Sequence, residues 1–123
     1  MAENYTYCFL RKDLPAVVRA IQLGHATMEL GKMLGSEEPI ANLILFEVAN
    51  EQELMRVDTW LEDIGVKRHM FYEPDYNTGY TAICCEPLTG DARVPFSNFK
   101  LFQWEQEPDY MAVRRDAIQS FAA

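Results

Sequence analysis

An α/β domain is what this sequence predicts, and three observations carry the expectation. Short β-branched or aromatic runs alternate with longer stretches of helical period. The alternation follows the order β, α, β, α, β, β, which argues for a layered domain because each covered strand needs a helix to bury its faces. The length of 123 residues suits one domain, and a chain of that size buries roughly two-thirds of its unfolded surface in a single core. A hydrophobic share of 49% and an aromatic share of 12% are those of a folded chain rather than a disordered one.

The elements follow in order. Tyr5 to Leu10 is a strand-like run ended by Arg11-Lys12-Asp13. Asp13 and Pro15 then read as an N-cap and an early helical proline. Over Ala16 to Leu34 the three-four spacing of Val17, Ile21, Gly24 and Met28 predicts the buried stripe of a helix, with Val18, Gln22, His25 and Glu29 on the adjacent face. Gly35 and Pro39 close it. Asn42 to Val48 is nearly continuous in apolar residues, as a doubly covered strand would be. Asn50 followed by Glu53 is a capping-box-like start for a helix carrying Leu54, Val57 and Leu61, and Gly65 ends it. Val66 to Phe71 and Thr81 to Cys85 read as two further strands around a turn-rich stretch. Asp91 to Phe102 reads as either a short helix or an irregular loop with a final strand at Lys100 to Phe102. Pro108 to Phe121 reads as an amphipathic helix with Tyr110, Val113, Ala117 and Phe121 on one face.

Charge and cysteine content narrow the function classes. A net charge of −8 argues against general nucleic-acid binding, since attraction to phosphate needs a basic surface. The distribution is uneven, however. Arg11, Lys12, Arg19 and Lys32 outnumber Glu3, Asp13 and Glu29 in residues 1–35, so an anion would approach the N-terminal third. Cys8, Cys84 and Cys85 are odd in number, and neighbours on a strand point to opposite faces, so the pair at 84 and 85 should be buried free thiols rather than a disulfide. The N-terminus lacks the basic opening of a signal peptide, and no apolar run reaches the length of about 20 residues that spans a bilayer. These features predict a cytoplasmic protein without a membrane. With two histidines and no Cys-x-x-Cys spacing, no metal or cofactor is expected.

Three segments in one order carry a family resemblance. Leu10-Arg11-Lys12-Asp13-Leu14 looks like the strand end and Arg-x-Asp-Leu opening of the type II peptidyl-tRNA hydrolases. Ala20-Ile21-Gln22-Leu23-Gly24-His25-Ala26 is similar to that family's Ala-Ala-Gln-x-x-His-Ala on its first helix. The run from Ile44 through Gly65 to Pro87 repeats its order of strand, capped acidic helix, Gly-Val, turn and strand. Tyr72-Glu73-Pro74 with Thr81-Ala82-Ile83-Cys84 resembles the divergent peptidyl-tRNA hydrolase domain-containing proteins more than the main branch. The resemblance implies a three-layer α/β/α domain with a mixed four-stranded sheet over residues 1–105. Residues 106–123 are expected to form a C-terminal helical extension outside the resemblance. The implied reaction is metal-free hydrolysis of the ester joining a peptide, or an N-blocked amino acid, to the 3′ end of tRNA.

Such a reaction needs a positioned water, a proton acceptor, and donors or a cation near the developing oxyanion. The resemblance assigns Gln22 to the water or carbonyl, Glu73 to the base with Asp75 as runner-up, and Thr78 to the family's threonine. The family's lysine falls at Val18, a departure, with Arg19 the nearest cation. Arg11, Lys12, His25 and Lys32 are the candidate substrate-binding residues. Two other readings stand beside the hydrolase. A binding module of the same fold would recognise a tRNA end, a protein or a small ligand without the reaction. A structural or regulatory protein would bind a partner, or itself, through the last helix.

Overall fold

A computed structural model describes residues 3–35 and 41–99. The expected final strand at Lys100 to Phe102, the last helix and the 106–123 extension lie outside the described residues. Within them the chain runs β1 (Tyr5–Arg11), α1 (Ala16–Leu34), β2 (Asn42–Val48), α2 (Glu51–Asp63), β3 (Arg68–Glu73) and β4 (Gly79–Cys85), with short 3-10 turns at Asp75–Asn77 and Gly90–Phe96. The four strands form one mixed sheet in the order β2-β1-β4-β3. β1 pairs parallel with β2 across α1, whereas β4 pairs antiparallel with both β1 and β3.

Alternation along the strands divides the apolar residues into two clusters. Tyr7, Phe9, Phe46, Val48, Ile83 and Cys85 pack with Leu54, Val57 and Leu61 of α2. Cys8, Leu10, Ala82 and Cys84 pack with Ala26 and Leu30 of α1. Cys84 and Cys85 therefore do face apart, and all three cysteines are free and buried. The first cluster is aromatic. Tyr7 stacks on Phe96 at 4.2 Å and on Phe46 at 5.5 Å between ring centroids. Arg93 lies 3.6 Å over the Tyr5 ring and donates to the Tyr7 hydroxyl at 3.0 Å. These contacts resolve the ambiguous stretch after Pro87 into the turn Gly90–Phe96, which is held by its aromatic and cationic side chains rather than by helical periodicity.

Caps and ion pairs fix the helix ends. Asn50 accepts from the Glu53 N–H at 3.0 Å, the first half of the predicted capping box, whereas the Glu53 carboxylate accepts from the Ala49 N–H at 2.6 Å, one residue before the N-cap. Arg68 of β3 donates to Asp58 at 2.8 Å and to Glu62 at 2.5 Å, one turn apart on α2. The start of α1 corrects one expectation. Pro15, not Asp13, occupies the N-cap, without a side-chain cap, because both Asp13 oxygens accept from Arg11. Gly35 closes α1 at φ 59°, and its N–H reaches the Gly31 carbonyl at 3.0 Å.

The stripe expected on α1 is a second correction. Its buried residues are Arg19, Gln22, Ala26 and Leu30, whereas Val17, Ile21 and Met28 are exposed. The helix boundaries match the periodicity, but the helix is rotated, so that it buries Arg19 and delivers Gln22 to Glu73 at 3.1 Å and Thr81 at 2.8 Å.

β4 begins at Gly79, whose φ of 80° lies in the left-handed region. A Cβ there would collide with the Glu51 carboxylate. That carboxylate cannot simply swing away, since it accepts the Tyr80 N–H at 2.7 Å and so joins α2 to β4. Gly79→Ala should therefore lose about 2 kcal/mol or more of stability through strain and the broken bond. Urea denaturation of the variant beside the parent checks this, and an unchanged midpoint would contradict the packing described.

Candidate functional site

The polar cluster of the domain lies where α1 crosses the β3–β4 hairpin. The pairing of these two strands skips a residue: Phe71 faces Ala82, whereas Tyr72 faces Tyr80. Thr81 is thus the extra residue of a β-bulge, and a bulge re-aims the side chain it carries. Its hydroxyl donates to the Gln22 Oε1 at 2.8 Å, on the side of the sheet where Ala82 meets α1. Regular alternation would have turned Thr81 away from Ala82.

Gln22, 4% exposed, completes the link. Its Nε2 donates to the Glu73 Oε2 at 3.1 Å. An ionised carboxylate can only accept, so the amide nitrogen must face Glu73 and the amide oxygen must face Thr81. One Nε2 hydrogen remains beyond the bond to Glu73. The other Glu73 oxygen accepts from the Asp75 N–H at 3.2 Å. Donation by Gln22 first, then by the Asp75 backbone, holds the Glu73 carboxyl below the usual glutamate range. His25 adds to this from the rim, where its exposed ring stacks on Phe71 at 4.8 Å.

The remaining sequence candidates divide between this cluster and the scaffold. Arg19, three residues before Gln22, shares the buried side of α1, is 2% exposed and is partnered there. Val18 is half-buried. Arg11, 8% exposed, is a clamp: Nη1 donates to the Thr78 carbonyl at 2.6 Å and to the Tyr80 carbonyl at 2.9 Å, while Nε and Nη2 hold Asp13. Donation by Arg11 keeps the Asp13 carboxyl below its ordinary range. Thr78 closes the turn, its hydroxyl donating to the Asp75 carbonyl at 2.7 Å, and it makes no hydrogen bond to Gln22 or Glu73. Lys12 and Lys32 are exposed. Of the residues expected from the sequence, Gln22 and Glu73 are joined directly, with His25 and Arg19 beside them. Thr81 was missed, because nothing in the residue types announces a skipped pairing.

The thiols offer no alternative chemistry. A hydrogen bond with Cys8, then burial, pushes the Cys84 thiol up, and burial does the same for Cys85, so neither supplies a thiolate. Among the described residues no group of three or more histidine, cysteine or acidic side chains is arranged to hold a metal, and no helix is long and apolar enough to cross a membrane. A concavity of about 530 Å³ lies away from the cluster, lined by Tyr7, Phe46, Arg93 and Phe99 among others, and shares none of the cluster's residues.

No family model matches this chain, and no curated protein matches it. Among solved structures it is similar to a protein of unknown function from Agrobacterium tumefaciens, with a TM-score of 0.64 over 84% of this chain and 100% of that one, at 9% identity. That likeness establishes a shared fold.

The cluster makes a prediction independent of any activity. The depressed Glu73 pKa means that the ionised form stabilises the fold. That stabilisation is present above the unfolded value of about 4.3 and is lost as pH falls through the lower folded value. In Gln22→Ala the largest contributor disappears, so the Glu73 midpoint should move up toward the ordinary glutamate range. A carboxyl-carbon NMR titration of both proteins reads this. Equal midpoints would mean that Gln22 does not hold Glu73 in solution.

Proposed function

We propose that this chain is a peptidyl-tRNA hydrolase-like protein of three-layer α/β/α architecture, acting on the ester between an N-blocked amino acid or peptide and the 3′ end of tRNA. One observation carries the reading: Gln22 and Glu73, assigned to that chemistry by separate stretches of sequence, are hydrogen-bonded at 3.1 Å. The layering is supported by α1 and α2 packing against alternate strand residues.

In the proposed reaction a water held by Glu73 loses its proton to that carboxylate while its oxygen attacks the ester carbonyl carbon. The remaining Gln22 N–H orients the water or the carbonyl. The tetrahedral adduct then expels the 3′ oxygen of the tRNA, which takes the proton from Glu73, leaving a free 3′ hydroxyl and a peptide carboxylic acid that releases its proton to water. A carboxylate with a lowered pKa is a weak base, since general-base efficiency is greatest when the pKa lies near the working pH. Turnover should therefore be slow, flat through neutrality, and lost only in acid as Glu73 protonates.

Val18, where the family places lysine, supports the second reading, a binding module that has kept the pair and lost the rate. A missing electrostatic donor at such a site costs about a hundredfold to a thousandfold. The basic footprint is also smaller than the sequence suggested. Arg11 and Arg19 are buried in the scaffold, which leaves Lys12 and Lys32 as the exposed cations of the four.

Gln22→Ala should lower turnover of an N-blocked aminoacyl-tRNA by at least about tenfold. Val18→Lys should raise it if the cation alone is lacking. Single-turnover assays beside an authentic family enzyme, with folding followed by circular dichroism, decide between the readings. A parent indistinguishable from buffer, with tRNA binding retained at low salt and weakened by Lys12→Glu, would establish the binding module instead.

A further inference from the structure

The turn between β3 and β4 holds a tyrosine that the fold does not use. Tyr76 is 99% exposed, so its ring packs against nothing among the described residues. Its backbone nonetheless lies in the left-handed region, at φ 57° and ψ 29°, and Asn77 follows at φ 55°. Asparagine enters that region readily, whereas a bulky aromatic residue does so only under constraint. Such strain costs stability, and no burial of the ring offsets it here. The turn is braced on either side of Tyr76. Glu73 Oε1 accepts the Asp75 N–H at 3.2 Å. Thr78 donates to the Asp75 carbonyl from its N–H at 3.1 Å and from its hydroxyl at 2.7 Å, while Arg11 holds the Thr78 carbonyl at 2.6 Å. One carboxylate therefore has two duties: Glu73 accepts from Gln22 and also braces the turn that presents Tyr76.

We propose that Tyr76 is the stacking platform for the base of the unpaired 3′-terminal nucleoside that carries the ester. The inference rests on the proposed substrate, an ester at the 3′ end of tRNA, and adds the residue that recognises its last nucleoside. Tyr76 stands three residues past Glu73, at most about 10 Å of backbone. An ester and a base carried on one ribose are no further apart than that, so an ester carbonyl at Glu73 leaves the base within reach of the ring. Charge favours the base over phosphate at this place. Glu73 and Asp75 lie on the N-terminal side of Tyr76 in the turn and repel a phosphate, whereas the base is neutral and its face stacks on an aromatic ring. The phosphate joining this nucleoside to the rest of the strand has a cation at the same end of the sheet. β1 runs antiparallel to β4, which sets the exposed Lys12, just past the end of β1, at the end where β4 begins. Tyr72, 54% exposed, is no equivalent platform. It is engaged edge to face with Tyr80 at 5.0 Å between ring centroids, and strand alternation turns it to the side opposite Glu73.

A short single-stranded RNA ending in a 3′-adenosine, beside the same RNA with an abasic last nucleotide, tests the contact without requiring turnover. The parent should bind the first at least about fivefold more tightly. Tyr76→Ala should bind both alike, and Tyr76→Phe, which keeps the ring, should retain the preference. Tyr76→Gly relieves the left-handed backbone, so it should lose the preference with no fall in the urea midpoint. With N-blocked aminoacyl-tRNA the loss in Tyr76→Ala should appear in KM, by at least about fivefold, rather than in kcat. A preference that survives in Tyr76→Ala or in Tyr76→Gly overturns the proposal. Turnover by a parent that shows no preference for the terminal base also overturns it, and leaves the hydrolase reading standing. A ring-dependent preference without turnover supports the platform and makes the protein the binding module. A parent with neither preference nor turnover overturns the platform and the hydrolase reading together.

Discussion

Two polar side chains decide how α1 sits on the sheet. Arg19 and Gln22 are both buried, and an amide or guanidinium taken out of water without partners costs several kcal/mol, more than one apolar contact returns. The helix is therefore stable in the rotation that delivers Gln22 to Glu73 and Thr81, which between them engage both ends of its amide. Ala26 and Leu30 enter the core as a consequence, lying one and two turns further along the same side. Val17, Ile21 and Met28 are turned outward by the same rotation. Satisfying polar groups inside has fixed the position of apolar groups outside.

The partners must then be ready on the hairpin. Glu73 ends β3 and shares the α1 side with Phe71 by ordinary alternation, whereas the bulge at Thr81, near the start of β4, brings that hydroxyl to the same side. Three further constraints hold the start of β4 in place: the Arg11 clamp on the Thr78 and Tyr80 carbonyls, the Glu51 carboxylate on the Tyr80 N–H, and Gly79 at positive φ beneath that carboxylate. Tyr76 and Asn77 also adopt positive φ in the connecting turn, a conformation that non-glycine residues hold only where the surroundings impose it. The site is thus a consequence of strand register and turn geometry as much as of residue identity.

That dependence explains which parts were legible in the sequence. Element order, the boundaries of α1 and β2, and the Asn50–Glu53 cap follow from local signals, because hydrophobic period and capping chemistry act within a few residues. Rotation of α1 was misread because periodicity ranks residues by apolarity, while the rotation was set by hydrogen bonds to positions 51 and 59 residues away in sequence. Arg11 looked like a free cation for a substrate and is instead engaged with a carboxylate and two carbonyls. Thr81 could not have been chosen, since a bulge is a relation between two strands and neither strand records it alone. Gln22 and Glu73 were reached through the family resemblance, which encodes such long-range relations indirectly.

The packing beneath α1 shows why the polar pair can form there. The cluster under this helix includes Cys8, Ala26, Ala82 and Cys84, four small residues, whereas the cluster under α2 is filled by Phe9, Phe46 and Phe96 with Leu54 and Leu61. Small side chains let the helix backbone approach the strands, and only at close approach can the short reach of glutamine and threonine close a 2.8 Å hydrogen bond. Bulky residues would lift α1 away, leaving Gln22 spanning water and Glu73 no more than a solvated carboxylate. The aromatic cluster supplies most of the apolar burial, which leaves the α1 side free to give packing volume to polar geometry. Stability and the candidate chemistry thereby rest on different sets of residues in one sheet. Substitutions such as Ala82→Val or Cys84→Leu would act on the site by displacing the helix that carries Gln22, without touching the glutamine or its partners.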